Sequence, residues 1–326
     1  MTRHLDLSLA AVAGVLLALS FPSFGLSAVA WVALAPLLVT LGRGSVAAAA
    51  RRGLVTGIVY FTGTLYWITN VMHQYGGLGT ATAILVNAAL IVYLSLFPAL
   101  FALTVRRLTI LAGPPALLAA PFIWVASELG RMHLLTGFPW VLLGYSQVSV
   151  LPIAQFASVL GVFGLSGLIV FTNAALVLAF GPIGWTTSVR RFGPLAAALA
   201  LVGGIGVWGA QRLSESRLTR TGRPLTFGLI QGNVDQGQKW DVARAGAIFS
   251  DYLQLTHDAI TRGADVVVWP ESSTPFFFEE DKPAAEQVRA MARGAKVSIL
   301  LGSDQIVRGR PNRYYTSAFL LSPDGE

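Results

Sequence analysis

Long apolar runs broken by short clusters of arginine fill the first two thirds of the chain, and a different periodicity takes over after Arg223. A helix needs about 20 mostly apolar residues to cross a bilayer. Seven stretches approach that length: 5–21, 26–41, 54–72, 80–105, 110–129, 151–180 and 192–210. The second is short. The sixth is long enough that part of it, or the Pro/Gly-rich approach 137–151, is a candidate re-entrant or interfacial segment. Pro36, Pro98 and Pro121 lie inside these runs and predict kinks whose freed backbone groups neighbouring helices must satisfy. Arg3 and His4 precede the first run as they would in a signal peptide. No small-x-small cleavage site follows, however, and six further runs come after it, so it reads as a retained helix.

Beyond Arg223, residues 225–234 read as a buried strand, 243–262 as an amphipathic helix and 264–269 as a second strand. Asp281 is placed to cap a helix that opens near Pro283 and runs to Arg293. Strands are predicted over 297–307 and 314–322, with Pro323-Asp324-Gly325 as a turn. Strands alternating with helices imply an α/β layout. The predicted architecture is a multi-span α-helical membrane domain over 1–210, a linker over 211–223, and an α/β domain over 224–326. The sequence stops at Glu326, directly after a turn where a hairpin partner strand is expected.

Charge supports this division. Only 12% of residues are charged, against about 25% in an ordinary soluble domain. Residues 1–210 hold nine Lys/Arg and two Asp/Glu, whereas 211–326 hold fourteen of each, so the whole net charge of +7 lies in the apolar half. A nucleic-acid binder would concentrate its basic surplus on the soluble part, and nucleic acid is therefore not an expected partner. Short-loop arginines set orientation. With the N-terminus in the cytoplasm, Arg3, Arg43, Arg51, Arg52, Arg106, Arg107, Arg190 and Arg191 face the cytoplasm and Arg131 alone faces away. An odd number of spans then places the soluble domain outside. Arg212, Arg217, Arg220 and Arg223 run against the bias, but large translocated domains are largely exempt from it.

The sharpest chemical feature is Val266-Val267-Val268-Trp269-Pro270-Glu271. A buried strand delivers a carboxylate to the sheet edge where ligands bind in open α/β folds, and desolvation there would suit Glu271 to general-base work. The alternative is a carboxylate that caps a turn or pairs with an arginine. His4, His73, His133 and His257 lack ligand-like spacing, so no metal site or cofactor is expected. Glu128 and Arg131 near the end of the fifth run are either a functional pair or an interfacial anchor. Gly161, Gly164 and Gly167 fit close helix packing. Zero cysteines exclude disulfides and a thiol nucleophile within these residues.

The order of a multi-span region, Gln231-Gly232-Asn233, Lys239-Trp240, Trp269-Pro270-Glu271, Tyr314-Tyr315-Thr316-Ser317-Ala318 and Pro323-Asp324-Gly325 resembles the apolipoprotein N-acyltransferase family. Tyr75-Gly76-Gly77, Gly137-Phe138-Pro139-Trp140 and Gly144-Tyr145-Ser146-Gln147 are similar to that family as well. The resemblance spans the whole chain and implies a partial nitrilase-like domain, an α-β-β-α sandwich of the carbon-nitrogen hydrolase superfamily, held at the outer surface of a bacterial inner membrane. It implies that Glu271 is the catalytic base of a Glu-Lys-Cys triad and that Trp240 lies near the active site, a core or interfacial role being the alternative. The family's Lys and Cys lie beyond the turn at 323–325, so this chain is expected to be truncated before both and inactive as it stands. The implied partners are a phospholipid acyl donor, a diacylglyceryl apolipoprotein acceptor and membrane lipid. Alternative readings are a membrane-tethered amidase of the same superfamily and a non-catalytic scaffold or transporter-like protein.

Overall fold

The structure is a computed structural model that describes residues 2–22, 24–182, 188–216, 220–235, 237, 239 and 241–326. The chain divides into two compact units, Met1–Arg220 and Thr221–Glu326.

The first unit is helical. Its elements are α1 (Thr2–Leu19), α2 (Ala30–Ala33), α3 (Ala35–Thr40), α4 (Val46–Leu65), α5 (Trp67–Gln74), α6 (Thr80–Ala112), α7 (Ala120–His133), α8 (Leu151–Ala154), α9 (Ala157–Phe180) and α10 (Ser188–Glu215). Among the described residues, three helices are long and apolar enough to cross a membrane: α6, α9 and Arg191–Glu215 within α10. The other apolar stretches take shorter or interrupted forms, for reasons that can be named. The second breaks at Leu34, because Pro36 cannot continue a helix with an intact hydrogen-bond ladder. Asn173 of α9 repairs the break. Its Oδ1 accepts from Leu34 N at 2.9 Å and Ala35 N at 3.0 Å, and its Nδ2 donates to Ala30 O at 3.0 Å. In an apolar surround these backbone groups have no water to turn to. The fifth stretch loses its first residues to α6, which at 33 residues extends about 50 Å.

The Ser45 hydroxyl opens α4 by accepting from Ala48 N. Gly53 and Gly57 of α4 lie against Pro98, Ala102 and Ser95 of α6, where an added Cβ would collide with backbone. This small-xxx-small spacing lets the two backbones approach closely. Phe101, Leu94, Tyr60, Phe61, Leu65 and Trp124 fill the core around that contact.

The second unit holds β1 (Phe227–Leu229), α11 (Val242–Thr261), β2 (Val266–Val268), α12 (Lys282–Ala295), β3 (Ser298–Val307) and β4 (Arg313–Leu321). The four strands form one sheet in the order β1-β2-β3-β4. The first three are parallel, with Leu229 opposite Val268 and Val268 opposite Leu300, and β4 returns antiparallel to β3. Asp241 and Asp281 cap α11 and α12 by accepting from Ala243 N and Ala284 N. Tyr252, Ala285, Val288 and Ala292 of these helices bury one sheet face together with Val267, Ile299 and Leu301. Side chains alternate across a strand, so Phe227, Leu229 and Leu320 lie on the opposite face, where they are exposed. Among the described residues the unit thus has a helix layer and a sheet layer. Strand β1 is shorter than the predicted 225–234, since pairing with β2 ends at Leu229 and Asn233 turns the chain through a left-handed conformation.

Candidate active site at the sheet edge

Parallel strands bring their C-terminal ends to one edge. Strand β1 leads there into Gln231-Gly232-Asn233, and β2 leads into Trp269-Pro270-Glu271. The two exits are tied by Ile230 N donating to Val268 O at 2.9 Å, and Trp269 N donates to Leu300 O of β3 at 2.8 Å. The indole of Trp269 is buried beneath the turn, where its Nε1 donates to the Thr256 hydroxyl of α11 at 2.8 Å. Strand β3 runs on past β2, and its Asp304 sits opposite Thr316, which brings Tyr314-Tyr315-Thr316 to the same edge.

Glu271 stands on a turn that its neighbours make rigid. Ser272 adopts a left-handed conformation (φ 45°) and donates its hydroxyl to Asp304 Oδ1 at 2.7 Å. Both the amide and the hydroxyl of Ser273 donate to Gly302 O, at 2.9 and 2.8 Å. The Thr274 hydroxyl meets that of Ser303, buried on β3. Gly302 allows the close crossing: a Cβ there would lie 2.8 Å from Glu271 Cα and closer still to Pro270 O. Lys239 Nζ donates to the backbone oxygen of Glu271 at 3.1 Å.

The Glu271 side chain itself is exposed. The desolvation expected at the strand end is therefore not supplied by the described residues, because the open edge leaves the carboxylate facing solvent. What the turn does provide is a fixed backbone position, held by hydrogen bonds to β3, from which the Glu271 carboxylate extends into solvent. Trp240 lies outside the described residues. Among the described residues, no group of three or more His, Asp or Glu side chains is arranged to hold a metal ion. Gly302, Ser272 and Asp304 were not singled out from the sequence. The available signal was an isolated glycine within a strand pattern, which marks a close backbone approach.

In the helical unit, Glu128 and Arg131 are both 3% exposed and hold the segment 137–147 rather than facing the interface. Glu128 Oε1 accepts from Leu143 N at 2.7 Å and Trp124 Nε1 at 2.9 Å. Arg131 Nη2 and the Tyr60 hydroxyl both donate to Val141 O, at 3.2 and 2.7 Å. Gly137 (φ 84°) turns the chain into this segment where a Cβ would strike Met132 O. Gln147 closes it, donating to Ser27 O and accepting from Trp31 Nε1. The segment walls a cavity of 320 Å³ lined by Phe21, Thr64, Trp67, Trp140, Val141 and Tyr145.

Known proteins share both units. Residues 13–175, half of the chain, match the apolipoprotein N-acyltransferase N-terminal domain, and residues 228–326 match the carbon-nitrogen hydrolase family. The apolipoprotein N-acyltransferase of Geobacter metallireducens is 39% identical over 323 residues, covering 98% of this chain and 61% of that protein. That of Methylococcus capsulatus is 31% identical over 322 residues, covering 96% and 60%, and that of Pasteurella multocida is 27% identical over 300 residues, covering 90% and 55%. The chain thus spans about three fifths of the length of the first two of these relatives. With its helical unit matched to the N-terminal domain and its sheet unit to the hydrolase domain, the chain belongs to the apolipoprotein N-acyltransferase family.

Proposed function

We propose that this chain forms the membrane-held part, and one catalytic carboxylate, of an enzyme that N-acylates bacterial lipoproteins. In that reaction an acyl chain leaves a phospholipid and ends on the α-amino group of an N-terminal diacylglyceryl-cysteine. Glu271 takes the proton of a thiol contributed by residues outside this chain. The thiolate attacks the phospholipid ester, a lysophospholipid leaves, and the acyl group is held as a thioester. The substrate amine then attacks that thioester, the nitrogen keeps the acyl group, and the thiol is regenerated. The family resemblance is the support for counting Trp240 among the residues near this site. The observation that carries the reading is the Trp269-Pro270-Glu271 turn at the edge of a sheet unit matched to carbon-nitrogen hydrolases, in one chain with an apolar helical unit.

Both substrates are lipid-anchored, which gives a reason for fusing such a domain to membrane helices. The family resemblance supports an inner-membrane location, and the short-loop arginine bias supports an orientation with the N-terminus in the cytoplasm and the sheet unit on the outer side. The test is to extend the chain to the full length of its relatives and express it in cells depleted of their own N-acyltransferase. Mass spectrometry of a lipoprotein N-terminus should show an added acyl chain. A free amine on mature, diacylated lipoprotein, with the extended protein present in the membrane, would refute the assignment.

A further inference from the structure

Helix α10 is apolar and most of its length is uncovered. Two hollows adjoin it. The larger, 530 Å³, is walled from α7 and α9 by Pro121, Val125, Phe163 and Gly167, and the smaller, 340 Å³, by Val159, Gly204 and Trp208. Phe156, Leu201 and Ile205 line both, so the hollows share one ridge. They lie beside the break in α9, where Leu160 and Gly161 leave helical geometry. Gly167 fits close helix packing by its spacing, yet it lines the larger hollow. The nearest atom to an added Cβ there is Val125 Cγ2 at 3.6 Å, so no backbone presses against it. Among the described residues, the Trp208 indole nitrogen is the only side-chain polar atom in either wall.

A cation stands at one end of the ridge. Leu201, Ile205, Trp208 and Arg212 recur at helical spacing along one face of α10, over about 16 Å. Arg212 Cζ lies 5.4 Å from the Trp208 ring, and its Nη1 donates at 2.5 Å to the hydroxyl of Ser158, the neighbour of Val159 in the smaller hollow. An arginine snorkelling to water extends away from its helix, whereas this one is held against a ring and a hydroxyl beside the hollow. Glu215 follows three residues later, so the helix end has no large basic excess. The shape of the hollows therefore defines the ligand, and the guanidinium fixes its head. Two apolar hollows sharing a ridge, with one guanidinium at its end, match a molecule with two hydrocarbon chains and a phosphate. We propose that α7, α9 and α10 hold one resident diacyl phospholipid, with a chain in each hollow and its phosphate at Arg212. A lipid chain is as apolar as the bilayer around it, so packing and charge retain it rather than the hydrophobic effect. The site rests only on α9 and α10 lying in a bilayer and on no step of the proposed acyl transfer.

Native mass spectrometry of the 326-residue chain in mild detergent tests it. The probes are dioleoylphosphatidylglycerol, the single-chain oleoyl lysophosphatidylglycerol, and dioleoylglycerol, which lacks the phosphate. The wild type should retain the first over both others. One cation near an anionic lipid is worth roughly a factor of five, so R212Q should weaken dioleoylphosphatidylglycerol retention about five-fold. Gly203 and Gly204 both have nothing within 4 Å of an added Cβ, but Gly204 lines the smaller hollow and Gly203 lines neither. G204L should therefore lose the preference for two chains over one, while G203L keeps it. Leucine is a better helix former than glycine, so both variants should fold. Equal retention of one-chain and two-chain lipid by the wild type, unchanged retention by R212Q or G204L, or an equal loss in G203L and G204L would overturn the proposal. A dimer that forms in place of the lipid adduct and is broken by G204L would overturn it too, assigning the hollows to a second copy of the chain.

Discussion

Replacing Gly302 with alanine tests whether β3 fixes the position of Glu271. The new Cβ would lie 2.8 Å from Glu271 Cα and 2.9 Å from Ser272 N, whereas carbon atoms rest at about 3.5 to 4.0 Å. The turn at 270–272 must therefore retreat by roughly 1 Å. It cannot do so freely, because Trp269 N is held on Leu300 O, Ser273 N on Gly302 O and the Ser272 hydroxyl on Asp304. Overpacking of this kind costs about 1 to 3 kcal/mol, and loss of one backbone hydrogen bond adds about 1 kcal/mol. A total near 2 to 4 kcal/mol lowers the melting temperature of a unit this size by roughly 10 °C or more. Scanning calorimetry of the two variants beside wild type reads the effect. Gly294, in the last turn of α12 with nothing within 4 Å of its added Cβ, is the control, and Gly294→Ala should be neutral or slightly stabilising. If Gly302→Ala melts no earlier than Gly294→Ala, the turn is loose and the rigid placement of Glu271 is wrong.

Three other outcomes are expected. Asn173→Leu leaves Leu34 N, Ala35 N and Ala30 O without their partner in an apolar core. At about 1 to 3 kcal/mol for each buried group, denaturation in detergent should come several kcal/mol earlier, and an unchanged midpoint would contradict the repair role given to Asn173. A reporter active only outside the cytoplasm should be active when fused after Arg223 and silent at Gly44, and the reverse pattern would overturn the proposed orientation. Arg308 donates to Glu280 and holds its carboxyl below the usual value. A lowered folded pKa contributes stability that is present above the ordinary glutamate range and lost as pH falls through the folded value. The difference in melting between wild type and Arg308→Gln should accordingly shrink on acidification, and a gap that widens instead would contradict the pairing.

The sequence showed most clearly what short-range periodicity controls. Helix α11 begins and ends within one residue of the predicted 243–262, since its Asp241 cap and apolar stripe are local signals. The edge position of Trp269-Pro270-Glu271 was equally readable, because a β-branched run ending in proline must stop pairing. Long-range devices were not. The break at Leu34 is signalled by Pro36, but the residue that makes it tolerable, Asn173, lies 139 positions away. Asp6 sits inside an apparently uniform apolar run and acquires its meaning from Arg43 and Arg52, 37 and 46 residues on. The exposure of Glu271 was likewise invisible, because a strand's burial pattern says nothing about what covers the turn that follows it.

The most direct test of the proposed chemistry is acyl-enzyme formation by Glu271→Gln in the chain extended to the full length of its relatives. Glutamine keeps the size and removes the base. With labelled phospholipid, thioester formation should fall by about 10² to 10⁴-fold, the range for loss of a general base, while the melting temperature stays near wild type. A variant that melts early yet acylates at the normal rate would show that Glu271 is structural and contradict its assignment as the base.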